Sequence, residues 1–179
     1  MPAPSARRAR VFRWMLYALT VILAAAYLRA WWQAAKTTPF VRLVPVNHLA
    51  PDATVIAADT SQPVRLSEWR GQTIYLEFAS LECGISLAEL PALAEWAQTH
   101  PDVKVLVVAQ DAPEALRAYT ASNSAVRFLS DPDGRAFSAY GIYGTPTSYV
   151  IAPGGAVRYV RAGGPDTATN FDAQLSLRP

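Results

Sequence analysis

The run Val103–Gln110 (VKVLVVAQ) is almost continuously apolar and too short for a helix of ordinary length. Such a run is the mark of a strand covered on both faces, which demands layers above and below it. The segment before it, 87–100 (LAELPALAEWAQTH), spaces Leu87, Leu90, Leu93 and Trp96 at helical intervals, with Glu89 and Glu95 between them. Pro91 lies inside that helix, so a kink is expected there. Before the helix, Thr73–Phe78 (TIYLEF) is rich in β-formers and reads as a central strand. Strand, helix and doubly covered strand in succession point to a layered α/β fold.

The rest of the chain extends this pattern. Residues 51–59 alternate over a short stretch, and 61–63 (SQP) form a turn before a helical turn within 64–72. A second amphipathic helix is expected over 112–122, a strand from 126 into the Asp-Pro-Asp-Gly turn at 131–134, and a short helix over 135–142. Two strands, 147–152 and 156–163, are joined by Pro153-Gly154-Gly155, and a final helix falls within 165–179. The order β-α-β-α-β-β-α describes a mixed sheet flanked by helices.

The N-terminus is of a different character. Arg7, Arg8, Arg10 and Arg13 precede the apolar run Trp14–Leu28, which Arg29, Trp31 and Trp32 follow. The run holds 15 residues, short of the roughly 20 that span a bilayer. Residues 11–32 reach that length if Arg13 and Arg29 extend toward the head groups. Trp31 and Trp32 then occupy the interfacial belt, and the arginine-rich tail, 1–10, stays cytoplasmic. A cleaved signal peptide shares the basic start and apolar centre. Small residues at both cleavage positions occur only within the run, at Ala24 and Ala26. The expected organisation is a tail (1–10), a transmembrane anchor (11–32), a linker (33–50) and an α/β domain (51–179) on the extracytoplasmic, periplasmic side.

Charge and cysteine count remove several classes of function. From Thr37 onward there are 10 basic and 14 acidic residues, so no basic surface for nucleic acid is expected. One cysteine and two isolated histidines, His48 and His100, offer neither a disulfide framework nor a metal site. The Asp-Pro-Asp-Gly sequence lacks the further ligands of a calcium loop. No cofactor is expected.

The single cysteine, Cys83, lies in FASLECGISLAELP (78–91), where a strand ends and a helix begins. The free amides and dipole of a helix N-terminus favour an anion, so a thiol there can be partly ionised near neutrality. The thiolate is the nucleophile in thiol–disulfide exchange. Ser86, three residues on, can donate a hydrogen bond to it but cannot resolve a mixed disulfide. Glu82, next to the thiol, would raise its pKa if ionised and close. The alternative is that Cys83 is a small buried residue of a degenerate site.

From Ala50 to Pro146 the chain resembles the membrane-anchored, thioredoxin-like thiol–disulfide oxidoreductases of the TlpA-like or redoxin group. LAPDATVIAADTSQPVRLSEWRGQTIYLEF is similar to that family's opening strand, short helix and central strand. FASLECGISLAELP is similar to its active-site segment, and GTPTSYVIA (144–152) to its cis-proline loop, with FLSDPDGRAFSAYGIYGTP as the approach. The resemblance implies a thioredoxin-like fold with Cys83 as nucleophile and Pro146 as a cis proline facing it. It implies that the backbone of Thr145 pairs with an incoming peptide strand. Glu77 falls where thioredoxins carry a buried acid, and Glu89 where anchored relatives often carry a glutamate. Either can relay a proton, although the pattern alone equally allows Glu77 to face solvent and Glu89 to be a helix-surface charge.

The chain departs from the family at Ser86, which replaces the resolving cysteine. Ala79 and Glu82 replace the usual tryptophans, and Ile85 replaces a frequent proline. These substitutions imply a monothiol oxidoreductase whose mixed disulfide is released by another thiol, from a protein or a low-molecular-weight compound. Two other functions compete with it. One is a non-catalytic binding or assembly module at the membrane. The other is a one-cysteine peroxidase with Ser80 as helper hydroxyl, which Leu76 and Pro146 oppose, because such enzymes place a proline and an arginine there.

Overall fold

The computed structural model describes residues 6–37, 42–122, 124–164 and 168–176. Two compact units emerge, Met1–Phe40 and Val41–Pro179. The described residues of the first form one helix, α1 (Ala6–Thr37). Within it, Val11–Trp32 is a 22-residue stretch of mean hydropathy 1.7, long and apolar enough to cross a membrane.

The second unit is a seven-stranded sheet of order β2-β1-β5-β4-β3-β6-β7. Its strands are β1 (Thr54–Ala57), β2 (Pro63–Arg65), β3 (Thr73–Ala79), β4 (Val103–Ala109), β5 (Val126–Ser130), β6 (Thr147–Ile151) and β7 (Val157–Ala162). The β3–β4 and β4–β5 pairs are parallel, whereas β1, β2, β6 and β7 run antiparallel to their neighbours. Helices α2 (Gly84–Thr99), α3 (Pro113–Ser122), α4 (Arg135–Tyr140) and α5 (Ala168–Ser176) complete the unit. It is a thioredoxin-like fold, as the sequence predicts. Strand β3 is interior as expected, paired with β4 and β6, and β4 occupies the middle of the sheet. Helix α2 continues through Pro91 to Thr99.

Side-chain alternation along β3 divides the core. Ile74, Leu76 and Phe78 enter one apolar cluster, where Phe78 meets Phe137, Tyr140 and Tyr149 at ring-centroid distances of 5.1, 5.0 and 6.1 Å. Tyr75 and Ala79 enter the other, together with Leu90, Leu93 and Trp96 of α2 and Phe171 of α5. Glu77 shares the parity of Tyr75 and Ala79, so its side chain points beneath α2 rather than into solvent, and it is fully buried.

Residues 33–50 do not form a linker over their whole length. Helix α1 runs to Thr37, and 42–50 lie along the second unit. Leu43 and Val44 pack against the Phe78 cluster. The Val44 amide donates to the Tyr149 hydroxyl, and the Asn47 and Ala50 amides donate to the Val157 and Gly155 carbonyls. Gly141 makes this path possible. Its φ is +69°, and a Cβ there would lie 2.0 Å from the Arg42 carbonyl oxygen. The domain therefore begins about ten residues earlier than Pro51, because apolar residues among 42–50 have a hydrophobic surface to cover.

Helix α4 is fixed by Asp131, a buried residue whose carboxylate accepts from the Arg135 and Phe137 amides, each at 2.9 Å. An Asp131→Ala substitution strands those amides and is expected to cost about 1–2 kcal/mol. Chemical denaturation of the full-length protein checks it, as a lower midpoint at unchanged slope.

Candidate functional site: a thiol at the start of α2

Cys83 is the N-cap of α2, with extended backbone (φ −92°, ψ 110°), and its carbonyl accepts the first helical bond from Leu87 at 3.0 Å. The turn leading to it is held at three points. The Cys83 amide donates to the Ser80 carbonyl (3.1 Å), the Glu82 amide to the Ser80 hydroxyl (3.2 Å), and the Leu81 amide to the Asp111 carboxylate (3.1 Å). The thiol is half-buried and faces the loop before β6, where it donates to the Thr145 carbonyl oxygen at 3.4 Å. The Thr145–Pro146 peptide bond is cis. Thus Cys83, Ser86, Thr145 and Pro146, drawn from two segments some sixty residues apart, meet at one place.

The thiol pKa is lowered from the ordinary value to about 7. The Ser86 amide contributes most, followed by the Ser86 hydroxyl, with burial opposing them and Thr145 and the Ile85 amide assisting. Ser86 is fully buried, and its hydroxyl has no partner of good hydrogen-bond geometry while the thiol is protonated. Ionisation supplies one, because a thiolate accepts where a thiol donates. Glu82 is exposed, and hydrogen bonds from Ser86 lead the causes of the shift. The lowered pKa enriches the thiolate, which is the reactive form.

Beneath α2 lies a second group of residues. Glu77 is fully buried and Glu89 is 2% exposed, so neither is a surface charge. Burial and the neighbouring Glu89 raise the Glu77 pKa well above the ordinary carboxyl range, with Arg161 acting against them. Burial likewise raises Glu89 to about 7, again opposed by Arg161. Pairing explains the geometry: Glu77 of β3 lies opposite Ser148 of β6, which lies opposite Arg161 of β7, forming a polar row across the sheet. Neither oxygen of Glu77 has a hydrogen-bond partner, an arrangement tolerable only for a neutral carboxylic acid. Sequence reasoning did not single out Ser148 or Arg161. A register shift between Val150 and Ile151 hides their alignment with Glu77 from any simple count along the hairpin.

The C-terminal ends of β3 and β4 open into a cleft of about 310 Å³ that Thr145 also lines. Ala79, Ser80, Gln110, Phe137, Ile142, Tyr143, Gly144 and Thr145 line it. Phe137, Ile142, Tyr143 and Gly144 lie in the sequence that approaches the cis-proline loop, and Gln110 ends the run 103–110, but nothing in those patterns joins them into a cleft. Among the described residues no group of three or more His, Cys, Asp or Glu side chains is arranged to hold a metal.

Residues 46–160 match the sequence profile of the AhpC/TSA family. The chain belongs to the AhpC/TSA family. That membership places it among the redoxins, thioredoxin-like oxidoreductases that work through a cysteine thiol. No curated protein matched significantly. Among solved structures, a protein described as a thiol:disulfide interchange protein, DsbE, of Chlorobium tepidum is 24% identical with a TM-score of 0.65, covering 74% of this chain and 96% of its own. An exposed lipoprotein thioredoxin of Streptococcus pneumoniae is also 24% identical, with a TM-score of 0.58, covering 71% and 100%. A peroxiredoxin-like protein of Aquifex aeolicus is 21% identical with a TM-score of 0.65, covering 76% and 90%. These likenesses concern the fold. Residue 86, a serine, has no sulfur with which to displace a disulfide at Cys83.

Proposed function

We propose that this redoxin is a monothiol thiol–disulfide oxidoreductase, tethered by residues 11–32 with its thioredoxin-like domain on the extracytoplasmic side. The single observation that carries the reading is the Cys83 thiol at the N-terminus of α2 with its pKa near 7, beside a buried Ser86 hydroxyl. The Cys83 thiolate attacks a disulfide sulfur, the new S–S bond replaces the substrate's own, and the departing thiolate takes up a proton. The Thr145 backbone beside Cys83 supports pairing with an extended peptide. Glu77 and Glu89 are the groups proposed to take up or supply protons beneath the site, since Glu89 titrates in the same range as the thiol. An external thiol completes the cycle. The arginine-rich N-terminus and the apolar stretch of α1 support the tether.

The test is the pH dependence of Cys83 alkylation in the full-length protein and in Ser86→Ala. The native thiol is expected to titrate near pH 7. Loss of the serine hydroxyl moves the inflection upward, toward the ordinary thiol range of about 8.5, and slows alkylation at pH 6.5 roughly threefold to tenfold. A native thiol that titrates at or above the ordinary range, or that reacts only on unfolding, would sink the redox reading and leave a tethered binding domain. A one-cysteine peroxidase predicts rapid Cys83 oxidation by hydrogen peroxide in the same preparation.

A further inference from the structure

The cleft beside Cys83 has a definite chemical character. Phe137 and Tyr143 supply aromatic surface, Ile142 aliphatic surface, and Gln110, Ser80 and Thr145 an amide and hydroxyls. Among the described residues, no charged side chain lines it. Phe137 is held edge-on against Phe78 at 5.1 Å, and Gln110 is seated over Gly134, where an added Cβ would lie 2.6 Å from its Nε2. The walls are therefore positioned by the core. Tyr143 is the exception: it is 71% exposed, a large ring at the rim with little to cover it.

Charges of both signs stand on the segments around it. Asp111 accepts from the Leu81 amide next to Ser80, Asp131 caps the helix that carries Phe137, and Glu82 is exposed beside the thiol, while Arg42 packs its backbone against Gly141 and Arg135 follows Gly134. The cleft and the thiol also share structure. Thr145 lines the cleft and bonds the Cys83 sulfur through its carbonyl, and Ser80 lines the cleft while its carbonyl anchors the Cys83 amide. A substrate cysteine at Cys83 thus presents an adjoining group to the cleft.

We propose that this cleft is a subsite for an uncharged, preferably aromatic, side chain next to the reacting cysteine of an extended polypeptide, and that it disfavours anionic small disulfides such as oxidised glutathione. The proposal rests on the reading of Cys83 as nucleophile and narrows its substrate class. Aromatic rings on the walls offer stacking and edge contacts to a third ring. A carboxylate entering the cleft loses its hydration and finds no cation among the lining residues. Oxidised glutathione carries four carboxylates and is handicapped on both counts. Tyr143 and Gln110 are the specificity-determining residues, one through ring contact and the other through its neutral amide.

The test uses the full-length protein in lipid nanodiscs. Pentapeptides with a central cysteine blocked as its 2-thiopyridyl disulfide carry Phe, Gly or Asp on both sides of it. Cys83 attacks the peptide sulfur, the peptide becomes joined to Cys83, and pyridine-2-thione leaves and is read by its absorbance, with no net oxidation. Rates are expressed relative to bis(2-hydroxyethyl) disulfide for the same protein. The Phe peptide is expected to react at least fivefold faster than the Asp peptide, and oxidised glutathione more slowly than bis(2-hydroxyethyl) disulfide. Tyr143→Ala lowers the Phe preference severalfold, and Gln110→Lys raises the relative rate of the Asp peptide. Rates within twofold of each other across the three peptides, or glutathione reacting faster than the Phe peptide, overturn the proposal. A parallel arm measures anisotropy of fluorescent peptides with serine in place of cysteine, bound to Cys83→Ser protein. Tighter binding of the Phe peptide supports the subsite and equal binding overturns it, even where Cys83 reacts with no disulfide and the nucleophile reading itself falls.

Discussion

Replacing Ser86 with cysteine is expected to turn a persistent mixed disulfide into a transient one. Residue 86 sits one helical turn beyond Cys83 and is fully buried against it, and cysteine for serine changes one atom with little change in volume. Neighbours at this helical spacing lie close to the separation that a disulfide bridges. In the native chain, a peptide joined to Cys83 waits for an external thiol. In Ser86→Cys, the new thiol attacks Cys83 Sγ within the same molecule. A disulfide forms between Cys83 and the introduced thiol, the peptide leaves as a thiol, and the two electrons end on the former substrate disulfide. The intramolecular advantage over dilute external thiol shortens the lifetime of the mixed disulfide by on the order of a hundredfold. Non-reducing electrophoresis of full-length protein after reaction with a peptide disulfide reads this directly. The native band persists, the Ser86→Cys band decays, and Cys83→Ser gives none. An unchanged lifetime in Ser86→Cys would mean that side chain 86 cannot reach the thiol sulfur, which contradicts the geometry at the start of α2.

The second large effect concerns pH and stability. Glu77 and Glu89 hold their protons in the folded chain well above the ordinary carboxyl range, Glu89 to about 7. A carboxyl raised in this way favours the folded state while protonated in it. Between the unfolded value near 4.5 and the folded value the native state carries the extra proton, so stability falls as pH rises through that window. The slope is about 1.4 kcal/mol per pH unit for each group held protonated. The native protein is therefore expected to melt several degrees lower at pH 8 than at pH 5.5. Glu77→Gln keeps the shape, removes the titration, and is expected to raise the melting temperature at pH 8 while flattening the profile. The other groups facing Glu77 are Glu89 from α2, Tyr75 from its own strand, and Arg161 from β7. A flat native profile, or a Glu77→Gln protein less stable than native at pH 8, would show that Glu77 is ionised in the fold. Near-ultraviolet circular dichroism during heating measures both.

Much of the architecture was legible in the sequence, because burial on two faces leaves a compositional trace. VKVLVVAQ marks a covered strand whatever the remaining chain does, and it forms β4 in the middle of the sheet. The cysteine and its place at a strand–helix junction were equally readable, since each depends on local chain chemistry, and the Thr-Pro-Thr loop was legible through its resemblance to the family's. The attachment of segment 42–50 was not legible, for the opposite reason. Its attachment depends on Gly141, about a hundred residues away, leaving room for the Arg42 backbone. Glu77 and Glu89 could be read either way, because the identity of an acid does not say which face of a strand or helix meets solvent.

The amino-acid sequence by itself determined the apolar N-terminal helix, the α/β class and the single cysteine at a helix start without a resolving partner. Those are properties of composition and short-range spacing. The tertiary structure decided what surrounds them. Sheet pairing set Glu77, Ser148 and Arg161 in one row beneath α2, and the strand ends opened an uncharged cleft next to the thiol. Folding also brought Thr145 to within 3.4 Å of Cys83. Electrostatic and hydrogen-bond interactions act over a few ångströms in space, between residues sixty or more positions apart, and no local pattern encodes such distances.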